Sequence, residues 1–520
     1  MRAARLLLSL AVTTAWSTPA AADLDDAEAR GKQIYFTGTS QRGNEINAVV
    51  GDEATLLPAM AIPCVNCHGY DGLGRPEGGV IPTDIRWAQL TKSYGHVHEH
   101  GRRHGPFDEA ALGETVIAGM DPAGNRLDTA MPIYVMSEED LADLIAYLKV
   151  LEQDLDPGIA ADTVRVATVL PREGRLESLG QAMEAALRAS FAEVNERGGV
   201  FGRKIVLVTV PLGQSPGESI ENVRAALDNK DIFAFVSGYT VGIDDDLLAM
   251  LRWDKVPLVG PFTLDPGDAY LDAAAFYLYP GFPEQVRALA DQAVADVDDI
   301  ERLIIASPAD GRHDELATTA ADQLERRTGK DVTSVRFETG NAAALVTSPD
   351  GADVDAVLFL GSSNELDGLL DACAGAGIAP RVYTMSSLLA QPPFDAPRVF
   401  DQRIFVAFPT TSSDITPAGR ARYADLASRY ELPPGHIQAQ AAAIAAASVF
   451  TEGLQRAGRN LSRTRLTDGI EALYNFETGF TPPLVYGPNQ RIGARGAHIL
   501  TVDLEHQTYT QSTNGWRLLR

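Results

Sequence analysis

IPCVNCHGYDG, residues 62–72, holds two of the chain's three cysteines, Cys64 and Cys67, followed at once by His68. On a helix, positions i, i+3 and i+4 share a face, so two thiols and an imidazole can be offered to one flat ligand. C-x-x-C alone in an exported protein would allow a disulfide or a thioredoxin-type pair, whereas C-x-x-C-H is the pattern of covalent c-type haem attachment. A zinc site needs further close ligands, and Cys373 lies about 300 residues downstream.

Working outward, the next question is what holds the sixth position of the iron, because a dedicated electron carrier needs that position filled. The stretch AMPIYVMSEEDLADLIAYLKVL, from residue 130, offers Met131 and Met136. Ser137 reads as an N-cap with Asp140 three residues on, and Leu141, Leu144, Ile145 and Leu148 form an apolar helical stripe. Met136, just before the cap, is accounted for as a staple on Leu141. Met131, in a loop before Pro132, is the expected ligand, with Met120 as the weaker choice. These pieces resemble a class I cytochrome c domain over residues 27–151. The opening AEARGKQIYFTG matches the N-terminal helix, with Gly31, Tyr35 and Phe36; CVNCHG follows, then AMPIY as the methionine loop and LADLIAYLK as the closing helix. The resemblance implies an all-α domain, one haem c, His68 and Met131 as axial ligands, and outer-sphere one-electron transfer.

One loop departs from that pattern. YGHVHEHGRRHG places His96, His98, His100 and His104 within a few residues, with Glu99 among them. Such a cluster suits zinc or copper, or competes for the haem iron, or is a solvated loop with no specific role.

The chain's start sets the compartment. Arg2 and Arg5 precede the apolar run LLLSLAV, and Ala20-Ala21-Ala22 offers a small-residue cleavage site before Asp23, which together read as a secretory signal peptide over 1–22. The run is too short to span a bilayer, as is the Ala-rich run at 439–448. The periplasm is the expected address, with no transmembrane segment in the mature chain. A net charge of −26 on 520 residues excludes nucleic acid and anionic membrane surfaces as partners. The cytochrome segment, 23–155, is itself acidic, with 10 Lys+Arg against 22 Asp+Glu. A docking partner should therefore be basic or use apolar contacts.

An acidic linker with Pro and Gly is expected at 156–162, and the pattern then changes. Short β-branched runs (VRVATVL, KIVLVTV, IFAFVSG, VPLVG, RLIIAS, VDAVLFLG, RIFVAF) alternate with helical stretches, which indicates α/β architecture. Gly198-Gly199 closes the first long helical pattern. Binding residues of open α/β sheets lie beyond the carboxyl ends of strands. The order of EVNERGGVFGRKIVLV, FVSGYT, VPLVGPFT, YLYPGFPEQVRALA and LVYGPNQRIGARGAHILTV resembles type I periplasmic solute-binding proteins of the branched-chain amino-acid receptor group. That resemblance implies two lobes, about 163–281 with 411–485 and about 282–410 with 486–520, crossed three times near 282, 410 and 486. It also implies a small molecule in the interlobe cleft. By resemblance, Ser237, Gly238, Tyr239, Pro261, Phe262 and Thr263 would hold a carboxylate through amides and hydroxyls. The family's remaining contacts are replaced here: Asp310 stands in ASPADGRHD, Ser386 and Ser387 in YTMSSLL, and Gln438 and Gln440 in HIQAQAAA. An α-amino acid is therefore not the expected ligand.

No Ser/His/Asp arrangement, phosphate-binding loop or paired catalytic carboxylates stand out, and Cys373 reads as a buried small apolar residue. The expected function is periplasmic electron transfer with redox partner proteins, a quinoprotein alcohol dehydrogenase being the implied donor, and with the second segment sensing a solute or docking a partner. The alternative is a receptor for an ABC permease, of the amino-acid or small organic acid or amide class, with an accessory haem.

Overall fold

The computed structural model describes residues 24–518 except 75, 77–78, 99–100, 254, 265, 267–273, 299–301 and 348–353. The signal-peptide reading, His100 and Glu99 therefore lie outside the described residues. The chain divides into two compact units, Met1–Asp156 and Pro157–Arg520.

The first unit is built on helices α1 (Asp26–Thr37), α2 (Cys64–His68), α3 (Trp87–Leu90), α4 (Glu109–Ala118) and α5 (Glu138–Val150). The Asp25 carboxylate accepts from the Ala27 and Glu28 amides, and Glu28 accepts from the Asp25 amide in return, so α1 starts with a capping box. Ser137 caps α5 through the Asp140 amide. The two helices cross at Gly31, where a Cβ would sit 1.9 Å from the Asp143 carbonyl oxygen. Their contact buries Tyr35 and Tyr147, with ring centroids 5.6 Å apart. Arg30 and Arg42 both donate to the buried Asp143 carboxylate. The helical core expected from sequence is supplemented by short antiparallel sheets in the loops. One runs in the order β2 (Thr55–Pro58), β1 (Asn47–Val50), β5 (Ile133–Val135), and the other pairs β3 (His96–Val97) with β4 (Arg103–His104). In the first of these, Val49 faces Ile133, a β-branched cross-strand pair that suits a pleated surface.

The second unit opens with β6 (Thr163–Leu170), α6 (Glu177–Glu196), β7 (Lys204–Pro211), α7 (Pro216–Lys230), β8 (Ala234–Val236), α8 (Asp244–Trp253), β9 (Leu258–Val259) and β10 (Ala275–Phe276). These strands form a parallel sheet in the order β10-β9-β8-β6-β7. A second series follows: α9 (Phe282–Asp296), β11 (Leu303–Pro308), α10 (Gly311–Thr328), β12 (Thr333–Phe337), β13 (Ala356–Phe359), α11 (Ser363–Ala376), β14 (Arg381–Met385) and β15 (Ile404–Phe408). The chain then returns to the first sheet with α12 (Pro417–Tyr430), α13 (Ile437–Ala457) and α14 (Arg463–Glu471). It ends in β16 (Gly496–Asp503) and β17 (Thr508–Leu518) on the second sheet. That sheet runs β12-β11-β13-β14-β15-β16-β17, parallel as far as β15 and antiparallel after it. Strands such as β8 and β13, buried along their whole length, explain the near-continuous apolar runs. Helix α13 buries its alanines against α6, with Phe191 and Phe450 ring to ring at 6.2 Å. Arg463, at the start of α14, donates to the Ile232 and Phe233 carbonyls beside β8. Of the residues read as linker, Gly158 and Ile159 pack in this unit, Gly158 against the 231–233 backbone. Among the described residues, no helix is long and apolar enough to cross a membrane.

Candidate functional site

Helix α2 is a little over one turn long and places Cys64, Cys67 and His68 at the edge of a cavity in the first unit. The cavity has about 1220 Å³ of atom-free space, part of it open to solvent, and Met131 lines it too. The rest of its wall is largely apolar, with Ile81, Leu112, Val116, Tyr134, Leu144 and Leu148 among the contributors. Four chemistry-bearing residues singled out by sequence are thus gathered on one space, Met131 having come from a loop 63 positions beyond His68.

The donor set suits a covalently attached haem. His68 is buried, and its Nδ1 lies 3.1 Å from the Thr83 carbonyl oxygen. A carbonyl only accepts, so Nδ1 carries the hydrogen and Nε2 keeps its lone pair for a metal. Burial lowers the proton affinity of His68, which keeps the ring neutral and able to ligate. Loss of solvent around Cys64 pushes its thiol up to about 11. A thioredoxin-type pair lowers its attacking thiol, and Cys64 is not lowered. Among the described residues, none of the cysteines forms a disulfide. The Tyr134 hydroxyl donates to the Ile62 carbonyl at 2.7 Å, and the Tyr35 hydroxyl to the Gly69 carbonyl at 2.6 Å, pinning both ends of the motif. Thr83 carried no signal in sequence, because a backbone carbonyl acceptor can belong to any residue. The same holds for the packing of Leu112 and Val116, which needed the fold to be placed.

The histidine loop proves to be part of the same wall. His96, His98 and His104 all line the cavity, brought there by the β3–β4 pairing, in which His96 faces His104. His98 Nε2 lies 2.9 Å from His104 Nε2, and the His96 and His104 rings stack at 4.9 Å. Among the described residues, no group of three or more His, Cys, Asp and Glu side chains is placed to hold a metal ion. The nitrogens of His96, His98 and His104 face one another and the backbone, and His100, the fourth residue of the expected cluster, lies outside the described residues.

In the second unit, Ser237, Gly238 and Tyr239 follow β8, and Pro261, Phe262 and Thr263 follow β9. The structure brings the two loops side by side. Tyr239 and Phe262 stack with centroids 5.9 Å apart. Their amides are spent within the fold, Tyr239 N–H donating to the Val169 carbonyl and Phe262 N–H to the Gly238 carbonyl. Ser237 N–H likewise donates to Val259. A carboxylate held by those three amides is therefore not what the geometry offers. The Gly238 amide, the hydroxyls and the ring faces are left. The Ser237 Oγ is buried without a hydrogen-bond partner among the described residues, on a residue with φ of 51°. Asp310, after β11, is the N-cap of α10, accepting from the His313 amide and ring. Ser386 is half-buried after β14, and its neighbour Ser387 donates to Gln285. Gln438 is exposed on the first turn of α13, whereas Gln440 is fully buried and donates to the Pro433 and Gly435 carbonyls.

Comparison with known proteins divides the chain at the same place. The family described as Periplasmic binding protein matches residues 163–507, and the family described as Cytochrome c matches residues 55–152. No curated protein matches the chain. Among solved structures, a putative branched-chain amino acid ABC transporter from Rhodospirillum rubrum is similar at 16% identity and a TM-score of 0.54, covering 67% of this chain and 100% of that one. A fatty acid ABC transporter substrate-binding protein from Thermomonospora curvata is similar at 17% identity and a TM-score of 0.52, covering 69% and 95%. A branched chain amino acid ABC transporter from Thermus thermophilus with bound valine gives 16% identity and a TM-score of 0.50, covering 69% and 97%. At these identities the likeness speaks for the fold alone.

Proposed function

Because the chain belongs to the periplasmic binding protein family over residues 163–507 and carries a cytochrome c domain ahead of it, we propose that it is an exported, periplasmic electron carrier whose second unit senses a solute or docks a redox partner. The observation that carries this reading is the convergence of Cys64, Cys67, His68 and Met131 on one apolar cavity. One haem c held there supplies outer-sphere, one-electron transfer. Cys64 and Cys67 provide the two thioether tethers. His68 Nε2 would bind the iron, with the ring's orientation and tautomer set by the Thr83 carbonyl. The Met131 sulfur would bind the iron too, which would raise the reduction potential and deny the position to small molecules.

An acidic chain favours a basic partner or an apolar contact. Ile81 supplies the second kind, since it lines the cavity and is 65% exposed. A periplasmic dehydrogenase of the quinoprotein alcohol-oxidising kind is the donor this reading favours. The test is Met131→Ala in purified holoprotein. The expected result is an altered visible spectrum and a lowered midpoint potential, with haem still covalently bound. An unchanged spectrum and potential would remove Met131 from the site.

The presence of both complete sheets supports a second reading, a solute receptor for an ABC permease with an accessory haem. Its ligand class stays open, because proteins of this fold are described with valine and with fatty acids. The commitment of Asp310 to capping α10 and of the Tyr239 and Phe262 amides to the sheet speaks against an α-amino acid. Calorimetry against pooled amino acids, fatty acids and small organic acids separates the two readings, tight binding without any redox effect favouring the receptor.

A further inference from the structure

The three imidazoles of the β3–β4 hairpin share the cavity that Cys64, Cys67, His68 and Met131 line. His104 Nδ1 lies 2.8 Å from the Gly105 carbonyl oxygen, so that nitrogen carries a hydrogen. His104 Nε2 is then the acceptor of the 2.9 Å contact and His98 Nε2–H the donor, which leaves His98 Nδ1 as the basic nitrogen of the pair. An N···N contact holds one hydrogen, and two would repel. While the contact stands, the pair carries a charge of zero or plus one and nothing higher.

We propose that the His98–His104 pair is a proton-uptake site coupled to the haem, so that the cytochrome unit takes up a proton together with its electron. This rests on the haem reading given above. One electron from the redox partner lowers the charge on the iron by one unit. One proton from solvent binds His98 Nδ1, and the net charge of the cavity is restored. Oxidation reverses both. The two events are linked because the imidazoles and the haem-holding residues line one cavity, where charges are less screened than in water. His98 is half-buried, so water supplies the proton.

The surrounding charges set where this happens. Arg102, on the hairpin, faces the pair and is tied at 2.9 Å to the buried Asp121, which follows α4. His96 stacks on His104. Asp84 and Asp128 also line the cavity, Asp84 being paired with Arg86 at 2.7 Å. Arg102 and His96 oppose an added positive charge, and Asp121 favours it. Burial first, then Arg102 and the neighbouring imidazoles, hold His98 below the ordinary imidazole range. Coupling is therefore expected on the acid side of about 6.5.

The test is a potentiometric titration of the holoprotein from pH 5 to 8, with His98→Gln alongside and with haem content and absorption spectrum recorded for both. The midpoint of the native protein is expected to rise on acidification, with a limiting slope of about 59 mV per pH unit for one proton per electron. In His98→Gln the slope is lost while haem content stays the same. Proton uptake on reduction in weakly buffered solution, measured on the native protein, gives the same answer without a variant. A flat native midpoint, or an equal slope in His98→Gln, overturns the proposal and leaves the haem site standing. A chain without haem overturns both.

Discussion

Ser237 is the residue whose chemistry is least settled by its neighbours. Its φ of 51° is one that L residues adopt at a cost, and its buried hydroxyl has no partner among the described residues. Ser237→Gly removes both penalties, so the second unit should gain about 1–2 kcal/mol, read as a higher denaturation midpoint. A loss of stability instead would mean that the hydroxyl is engaged in the native state. At this scale the sequence was legible where one residue type serves one chemistry. Cys64, Cys67 and His68 declare themselves, because no other common arrangement uses that spacing. Asp310 shows the opposite case. A carboxylate before a helix is as suited to capping as to holding an amine, and only the fold reveals that it accepts from His313. Gln438 and Gln440 are two positions apart, yet one is exposed and the other fully buried, a difference set by how α13 is rotated.

Between elements, the contact of α1 with α5 carries the first unit. Gly31→Ala puts a methyl group into the Asp143 backbone, and the helices must move apart. The expected cost is about 1–3 kcal/mol on the first unit, measurable as an earlier loss of the haem absorption band in denaturant. Asp143, held by Arg30 and then Arg42, has its carboxyl lowered below the usual range. A lowered folded value adds stability above about pH 4 and loses it as pH falls through that lower value. Unfolding of the first unit should therefore steepen with acid below about pH 4, and Asp143→Asn should flatten that dependence. Equal acid sensitivity in both proteins would assign it to another carboxylate. Elements were readable wherever caps and periodicity agreed, as at Ser137 with the stripe behind it. The β3–β4 hairpin was not readable. Its pairing is two residues long and brings His104 back onto His98, close to a tie between Arg102 and Asp121 that spans 19 positions.

For the whole molecule, the open question is whether solute and electron sense each other. A ligand that prefers one oxidation state must shift the midpoint by about 59 mV per tenfold preference. Titration with and without pooled periplasmic solutes is expected to give a reproducible shift if the second unit gates electron transfer. Binding without a shift would make the two units neighbours on one chain and no more. The general division was legible because strand and helix alternation begins abruptly near residue 163. The return of the chain to its first sheet was legible only through family likeness, since no local pattern announces it. That return has a consequence for how the protein comes into being. The first sheet is threaded by residue 276, but the helix that covers α6 ends at Ala457, and Arg463 fastens the backbone beside β8 only after that. During synthesis the first unit is complete early, while the half-covered sheet waits for nearly two hundred more residues. A chain cut short near residue 410 should therefore yield a coloured, soluble head and a sticky tail, read as aggregation that the full-length chain does not show.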